Sequence, residues 1–272
     1  MTDKLSLVAI FAHPDDEAFG TGGTLARYAA EGVDVHLVTA TRGEAGQIAN
    51  PNIVPDRPMG DLREAELRNA CRYFGVKELH LLGYIDGQTT IAPQQEAVYK
   101  IVRLLRQIRP QVVISFGPDG IYGHYDHLAV HRWACAAVQL AADEERWPEA
   151  GLPYRVPKFY YRAMFAEQVA LVERVNGHSY VLMEGIPFPF VGYAPEQITT
   201  VIDVRQYVQA KLNGIRCHAS QLNPMHPYLQ DEFDPLMEEW FFREAYILAQ
   251  NNLDGYSLPP GEKETDLFAG IR

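Results

Sequence analysis

Apolar positions come in two alternating rhythms along the first half of the chain. Residues 5–12 (LSLVAIFA) are nearly all apolar, as befits a strand covered on both faces of a parallel sheet. Pro14 breaks the run. Residues 20–32 (GTGGTLARYAAEG) form a helical segment that Gly32 can terminate, and residues 33–41 (VDVHLVTAT) give a second strand, completing one βαβ unit. Asp61, with Glu64 three positions on, has the form of a capping box opening a helix to about Phe74, and residues 78–82 supply a third strand. Pro93 suits the first turn of another helix, in which Val98, Ile101, Val102, Leu105 and Ile108 keep helical spacing until Pro110. Residues 112–116 (VVISF) are strand four. Strands alternating in this way with amphipathic helices specify an α/β fold: a Rossmann-like, doubly wound, mostly parallel sheet.

The second half is less regular. After a loop at 117–123, a helix carries Leu128, Cys135 and Val138, and a proline-bearing connection occupies 147–157. Residues 158–164 and 199–204 read as strands. Residues 205–221 read as a helix with Val208, Leu212, Ile215 and Ala219 on one face. The stretch 255–272, with Pro259, Pro260 and Gly261, reads as a surface-wrapping or mobile tail. The expected organisation is one domain over 1–272: a Rossmann-like half (1–141), an α+β elaboration (142–254) and a surface tail (255–272).

Charge narrows the choice of partner. The 272 residues hold 24 basic and 35 acidic side chains, a net −11, which repels phosphate backbones and anionic membranes. Nucleic acid is therefore excluded as an expected partner, and no apolar run approaches membrane-spanning length. Self-association is left open. Cys71, Cys135 and Cys217 are odd in number and unpaired by spacing, so neither a disulfide framework nor a thiolate metal site is indicated. The first apolar run lacks the basic flank and cleavage site of a signal peptide, so the cytoplasm is the expected compartment.

The polar residues at the strand ends carry the chemistry. In an open α/β sheet, ligands bind beyond the carboxyl ends of the strands, where His13, Asp15 and Asp16 follow strand one. Imidazole and carboxylate are donors that catalytic zinc takes, with a fourth position left for water. His13 and Asp16 would supply two donors. The third should come from GIYGHYDHLAVH (120–131) after strand four, where depth along the helix favours His127 over His131. An HPDD turn alone could be a helix cap; two polar clusters converging on one sheet edge make a metal site the better reading.

These residues resemble the PIG-L or LmbE-like zinc N-deacetylases. The likeness rests on AHPDDE (12–17), continued by GTGGT (20–24), on GHYDH (123–127), and on KLNGIRCHASQ (211–221). The resemblance implies that His13, Asp16 and His127 bind Zn2+, a donor set that also suits Fe2+, and that Asp15 is the general base. His124, in protonated form, is assigned as donor to the oxyanion of amide attack, Asp126 as a brace for a neighbouring imidazole, and Tyr122 as an extra donor. Arg63 and Glu66, in REAE, look like the family's Arg-x-x-Glu, and Asp86, in GYIDG, like its partner acid; Arg63 and Asp86 are then expected on sugar hydroxyls. Glu44 sits at the end of strand two, and His218 could reach the pocket from the later helix. The implied substrate is a small N-acyl amino-sugar conjugate of N-acetylglucosamine type.

Three rival readings remain. A dinucleotide-binding oxidoreductase fails on its fingerprint, because Leu25 stands where the third glycine belongs. A non-catalytic zinc-containing sugar-binding protein, or a metal-dependent phosphoesterase, would use the same ligands.

Overall fold

The computed structural model describes residues 4–183, 185–234 and 238–272. Its core is a seven-stranded sheet in the order β3-β2-β1-β4-β5-β9-β8. The first five strands, β1 (Ser6–Phe11), β2 (Asp34–Thr41), β3 (Glu78–Tyr84), β4 (Val112–Phe116) and β5 (Lys158–Ala163), are parallel. β8 (Thr200–Asp203) and β9 (Arg243–Asn251) complete the sheet, β9 running against both its neighbours. A separate hairpin is formed by β6 (Tyr180–Met183) and β7 (Ile186–Pro189).

Every residue of β1 and β4 is buried, because helices cover both faces. On one side pack α1 (Asp16–Ala30), α2 (Met59–Phe74) and α7 (Val208–Cys217); on the other, α3 (Gln94–Ile108) and α5 (Tyr125–Leu140). A four-residue turn, α4 (Gly120–Gly123), precedes α5, and α6 (Ala166–Asn176) follows β5. The chain moves outward from β1 to β3 and then returns to β4 on the other side of β1. Loops after β1 and β4 therefore diverge and leave a crevice at their carboxyl ends.

The glycines of α1 serve packing. A Cβ at Gly22 would meet the Phe74 ring at 2.8 Å, and one at Gly23 would meet Val204 at 2.4 Å. Side chains of the protein itself stand where a Cβ at either glycine would go.

Several boundaries differ from the sequence expectation. α1 begins at Asp16, not near residue 20, so a proposed metal ligand is the first residue of a helix. The capping box at Asp61 and Glu64 does not form: α2 already starts at Met59, and the two acids pair with Arg42 and Arg68. α6, the β6–β7 hairpin and β9 were not anticipated. The tail is anchored: Leu267 and Phe268 are fully buried, and Glu264 accepts hydrogen bonds from Lys158, Tyr160, Thr200 and Tyr256 at 2.5–2.7 Å.

Candidate metal centre

The turn after β1 sends adjacent acids in different directions. Asp16 Oδ2 accepts hydrogen bonds from the backbone N–H groups of Ala12 (3.2 Å) and His13 (2.8 Å), which ties the turn to the helix start. Asp15 is left with φ of 104°, a left-handed conformation that costs a non-glycine residue on the order of 1–3 kcal/mol. Two contacts hold it there: its N–H donates to Glu17 Oε2 (3.0 Å), and its Oδ2 accepts from Arg63 Nη2 (3.2 Å). Asp16 faces the histidines; Asp15 faces Arg63.

The opposing wall comes from α4 and the first turn of α5. Gly120 and Gly123 have positive φ, and so does Ile121, whose N–H is held by Asp119 Oδ2 at 2.8 Å. This sharp bend brings the Gly120 carbonyl to 2.9 Å from His127 Nδ1. A carbonyl only accepts, so Nδ1 carries the hydrogen and Nε2 presents a lone pair. Nε2 lies 3.1 Å from Asp16 Oδ1, yet it is buried and makes no hydrogen bond, as two acceptors must.

His13 is fixed in the same way. Its Nε2 is 3.0 Å from both Asp126 Oδ2 and Asp86 Oδ1, which places a hydrogen on Nε2 and turns Nδ1 toward Asp16, 3.4 Å away. Asp126 is fully buried and is itself held by Thr89 Oγ1 (2.6 Å) and Gly87 N–H (2.7 Å). Burial opposes charge on His13, but Asp126, Asp16 and Asp86 together raise its pKa well above the ordinary imidazole range, so Nδ1 carries a proton toward Asp16 whose place a bound cation would take. Burial likewise opposes charge on Asp16, and His127 and His13 overcome it to hold the carboxyl well below the usual range. His13 Nδ1, His127 Nε2 and a carboxylate thus converge in a pocket that draws positive charge. This donor set fits a divalent cation such as zinc, with each ligand braced from behind.

His124 joins the group from the N-cap of α5, its ring centre 4.8 Å from those of His13 and His127. The protonated state expected from the sequence is disfavoured, because burial and the adjacent His13 and His127 push its pKa down to about 4. Nδ1 accepts from the Asp126 N–H at 3.1 Å, so neutral His124 still carries a hydrogen on Nε2 to donate. Tyr122 packs edge-on against His127 with ring centres 5.1 Å apart.

The expected substrate contacts are placed differently. Arg63 is buried, donating to the carbonyls of Pro14 (2.6 Å) and Gly43 (3.1 Å) as well as to Asp15, so it braces the turn. Asp86 is taken up by His13 and by the Ala45 N–H (3.1 Å), while Glu44 accepts from the Asp86 N–H (3.2 Å) at the rim. His218 does not reach the cleft surface: it is fully buried behind α1, with Nε2 2.7 Å from Glu17 Oε1. Glu66 accepts from both the N–H and the hydroxyl of Ser220 at 2.8 Å, joining α2 to the 211–221 segment. His131, set aside on depth, lies 3.0 Å from the Phe116 carbonyl. Glu17 and Thr89 escaped the sequence reading; Glu17 had a signal, since it closes the AHPDDE run.

Comparison with known proteins places the chain in a family. Residues 8–138 match the family model PIG-L, described as GlcNAc-PI de-N-acetylase. The chain is 34% identical to a 1D-myo-inositol 2-acetamido-2-deoxy-alpha-D-glucopyranoside deacetylase of Streptomyces avermitilis, over 97% of each chain. Among solved structures, the N,N'-diacetylchitobiose deacetylase of Pyrococcus horikoshii superposes with a TM-score of 0.64 at 21% identity, over 90% of this chain and 83% of that one. The 4-carboxy-2-hydroxymuconate hydratase GalB of Pseudomonas putida does so with 0.67 at 17%, over 93% and 100%. One fold thus hosts a deacetylase and a hydratase, and structural likeness alone does not choose a reaction. The identity to the Streptomyces enzyme along nearly the whole chain, together with the family match, is decisive: this chain belongs to the PIG-L family, and it is an enzyme.

Proposed function

We propose that the protein is a metal-dependent hydrolase that removes the N-acetyl group from an N-acetylglucosamine-type conjugate. One observation carries the reading: the His127 Nε2 lone pair, buried and without a hydrogen bond, faces Asp16 beside an acid, Asp15, that is not tied into the ligand cluster. His13, Asp16 and His127 would hold the ion. A bound zinc or iron(II) ion polarises an amide carbonyl and lowers the pKa of water from about 15.7 toward about 7.

The chain's own residues supply the rest. Burial raises the Asp15 pKa to about 6 against the opposing pull of Arg63, a value suited to a group that accepts a proton near neutrality and returns it to a leaving amine. Arg63 fixes the carboxylate's direction. The Nε2–H of His124 is a neutral donor for the oxygen on which charge develops, and its neutrality avoids placing a cation beside the metal ligands. The Streptomyces relative's name supports an aglycone related to inositol.

The test is a panel of N-acyl amino sugars and their conjugates, scored for new primary amine with and without chelator, alongside metal analysis of protein purified without oxygen. Chelator-sensitive amine release from N-acetylglucosamine conjugates is expected. Release unaffected by complete metal removal would overturn the assignment, and phosphate release from phosphomonoesters would favour the phosphoesterase reading.

A further inference from the structure

Arg162 stands at the carboxyl end of β5, opposite Phe116 of β4, at the edge of the sheet that carries the metal ligands. Its guanidinium lies on the backbone of α1: a Cβ placed on Gly20 would come within 1.9 Å of Nε and 2.2 Å of Nη2. Gly20 is one helical turn past Asp16, so the two occupy one face of α1. Glycine at 20 is what admits the arginine.

This cation has no partner. Nε is buried without a hydrogen bond, and among the described residues Arg162 makes neither hydrogen bond nor ion pair. The residue as a whole is half-buried, so Nη1 and Nη2 are not sealed as Nε is. The fold treats the more deeply buried Arg106 and Arg63 differently: Arg106 donates to six carbonyls, and Arg63 to two carbonyls and Asp15. Burial depresses the Arg162 pKa although Asp16, Glu244 and Asp119 act on it through space. A half-buried guanidinium whose Nε is sealed and unpaired is costly, and its two parallel outer donors match a carboxylate or phosphate.

We propose that Arg162 is an anion-binding subsite of the catalytic cleft, which reads a carboxylate or phosphate carried by the substrate one helical turn away from the metal ligands. The inference rests on the deacetylase reading for its substrate and extends it to conjugates with an anionic group. It adds a determinant of specificity on β5, outside the sequence motifs.

The test compares wild type, R162M and R162K, each zinc-loaded and checked by thermal melting. The probes are benzyl N-acetylglucosaminide, its 4-carboxybenzyl counterpart and N-acetylglucosamine 1-phosphate. Wild type should prefer one of the charged probes, and which one it prefers distinguishes carboxylate from phosphate. In R162M the charged-to-neutral ratio of kcat/KM should fall roughly 10- to 100-fold, mainly through KM, and R162K should recover part of it. Equal losses on charged and neutral probes, or no preference in wild type, would overturn the subsite. Calorimetry with inorganic phosphate separates the two claims. Phosphate bound by wild type but not by R162M, with no amine released from any probe, sinks the deacetylase reading and leaves the anion site. Phosphate bound equally by both proteins, or by neither, sinks the anion site.

Discussion

The hydrogen on His127 Nδ1 decides what that ring can do. Held by the Gly120 carbonyl, it leaves Nε2 as a lone pair in a buried position, and the same logic points His13 Nδ1 at Asp16. Replacing His127 with alanine should therefore remove most bound metal and turnover together; a variant with full metal content would show that the ligand set is wrong. Asp15→Asn keeps the shape and the hydrogen-bond partners but removes the base. Turnover should drop about 10²- to 10⁴-fold while metal stays bound. Loss of the metal instead would make Asp15 a ligand. Glu17 gives a third outcome: its carboxylate joins the strained Asp15 N–H to His218, so Glu17→Ala leaves the buried His218 and the part-buried Asp15 N–H unsatisfied. A loss of about 1–3 kcal/mol in stability is expected from denaturant melts.

At the level of elements, the last strand and the tail show how polar burial closes this fold. Lys158, at the start of β5, and Glu264, in the tail, are both sealed from solvent and 2.5 Å apart. Burial disfavours charge on each. Donors from Lys158, Thr200, Tyr256 and Tyr160 overcome that for Glu264 and hold its carboxyl below the usual range. A depressed folded-state pKa means that this contribution is complete above the ordinary carboxylate value and is lost as the pH falls through the depressed one. Glu264→Gln leaves a buried ammonium uncompensated and should cost about 3–5 kcal/mol. Melts over a series of acidic pH values should show wild type converging on the variant; a constant gap between them would mean that Glu264 does not titrate in this way. Proline and glycine near 259–261 suggested a loose end, and they do mark turns, but the anchors lie just beyond them in Leu267 and Phe268. Nothing local in 261–272 announces that its partners lie on β5 and β8.

For the whole molecule, the reversal of strand order at β1 and β4 places the site. The loops after those two strands meet across the crevice, so His13 and Asp126 come into contact although 113 positions separate them. If catalysis depends on an ion in that crevice, a chelator should abolish amine release and added zinc or iron(II) should restore it, with the fold retained by circular dichroism. Unfolding on metal removal would assign the ion a structural role instead.

The sequence by itself determined the parallel half of the sheet and which polar segments stand at its carboxyl edge. Continuous apolar runs, helical spacing and turn residues act over a few positions, and the HPDD and GHYDH segments stand where strand ends put them. Only the tertiary structure decided what these side chains do to one another. That Asp126 and Asp86 grip His13, that His124 is neutral, that Arg63 and Asp86 brace the turn, and that Arg162 stays unpaired are all consequences of contacts between elements far apart in the chain. Hydrogen-bond partners and desolvation depend on packing in three dimensions, and no local pattern of residues records them.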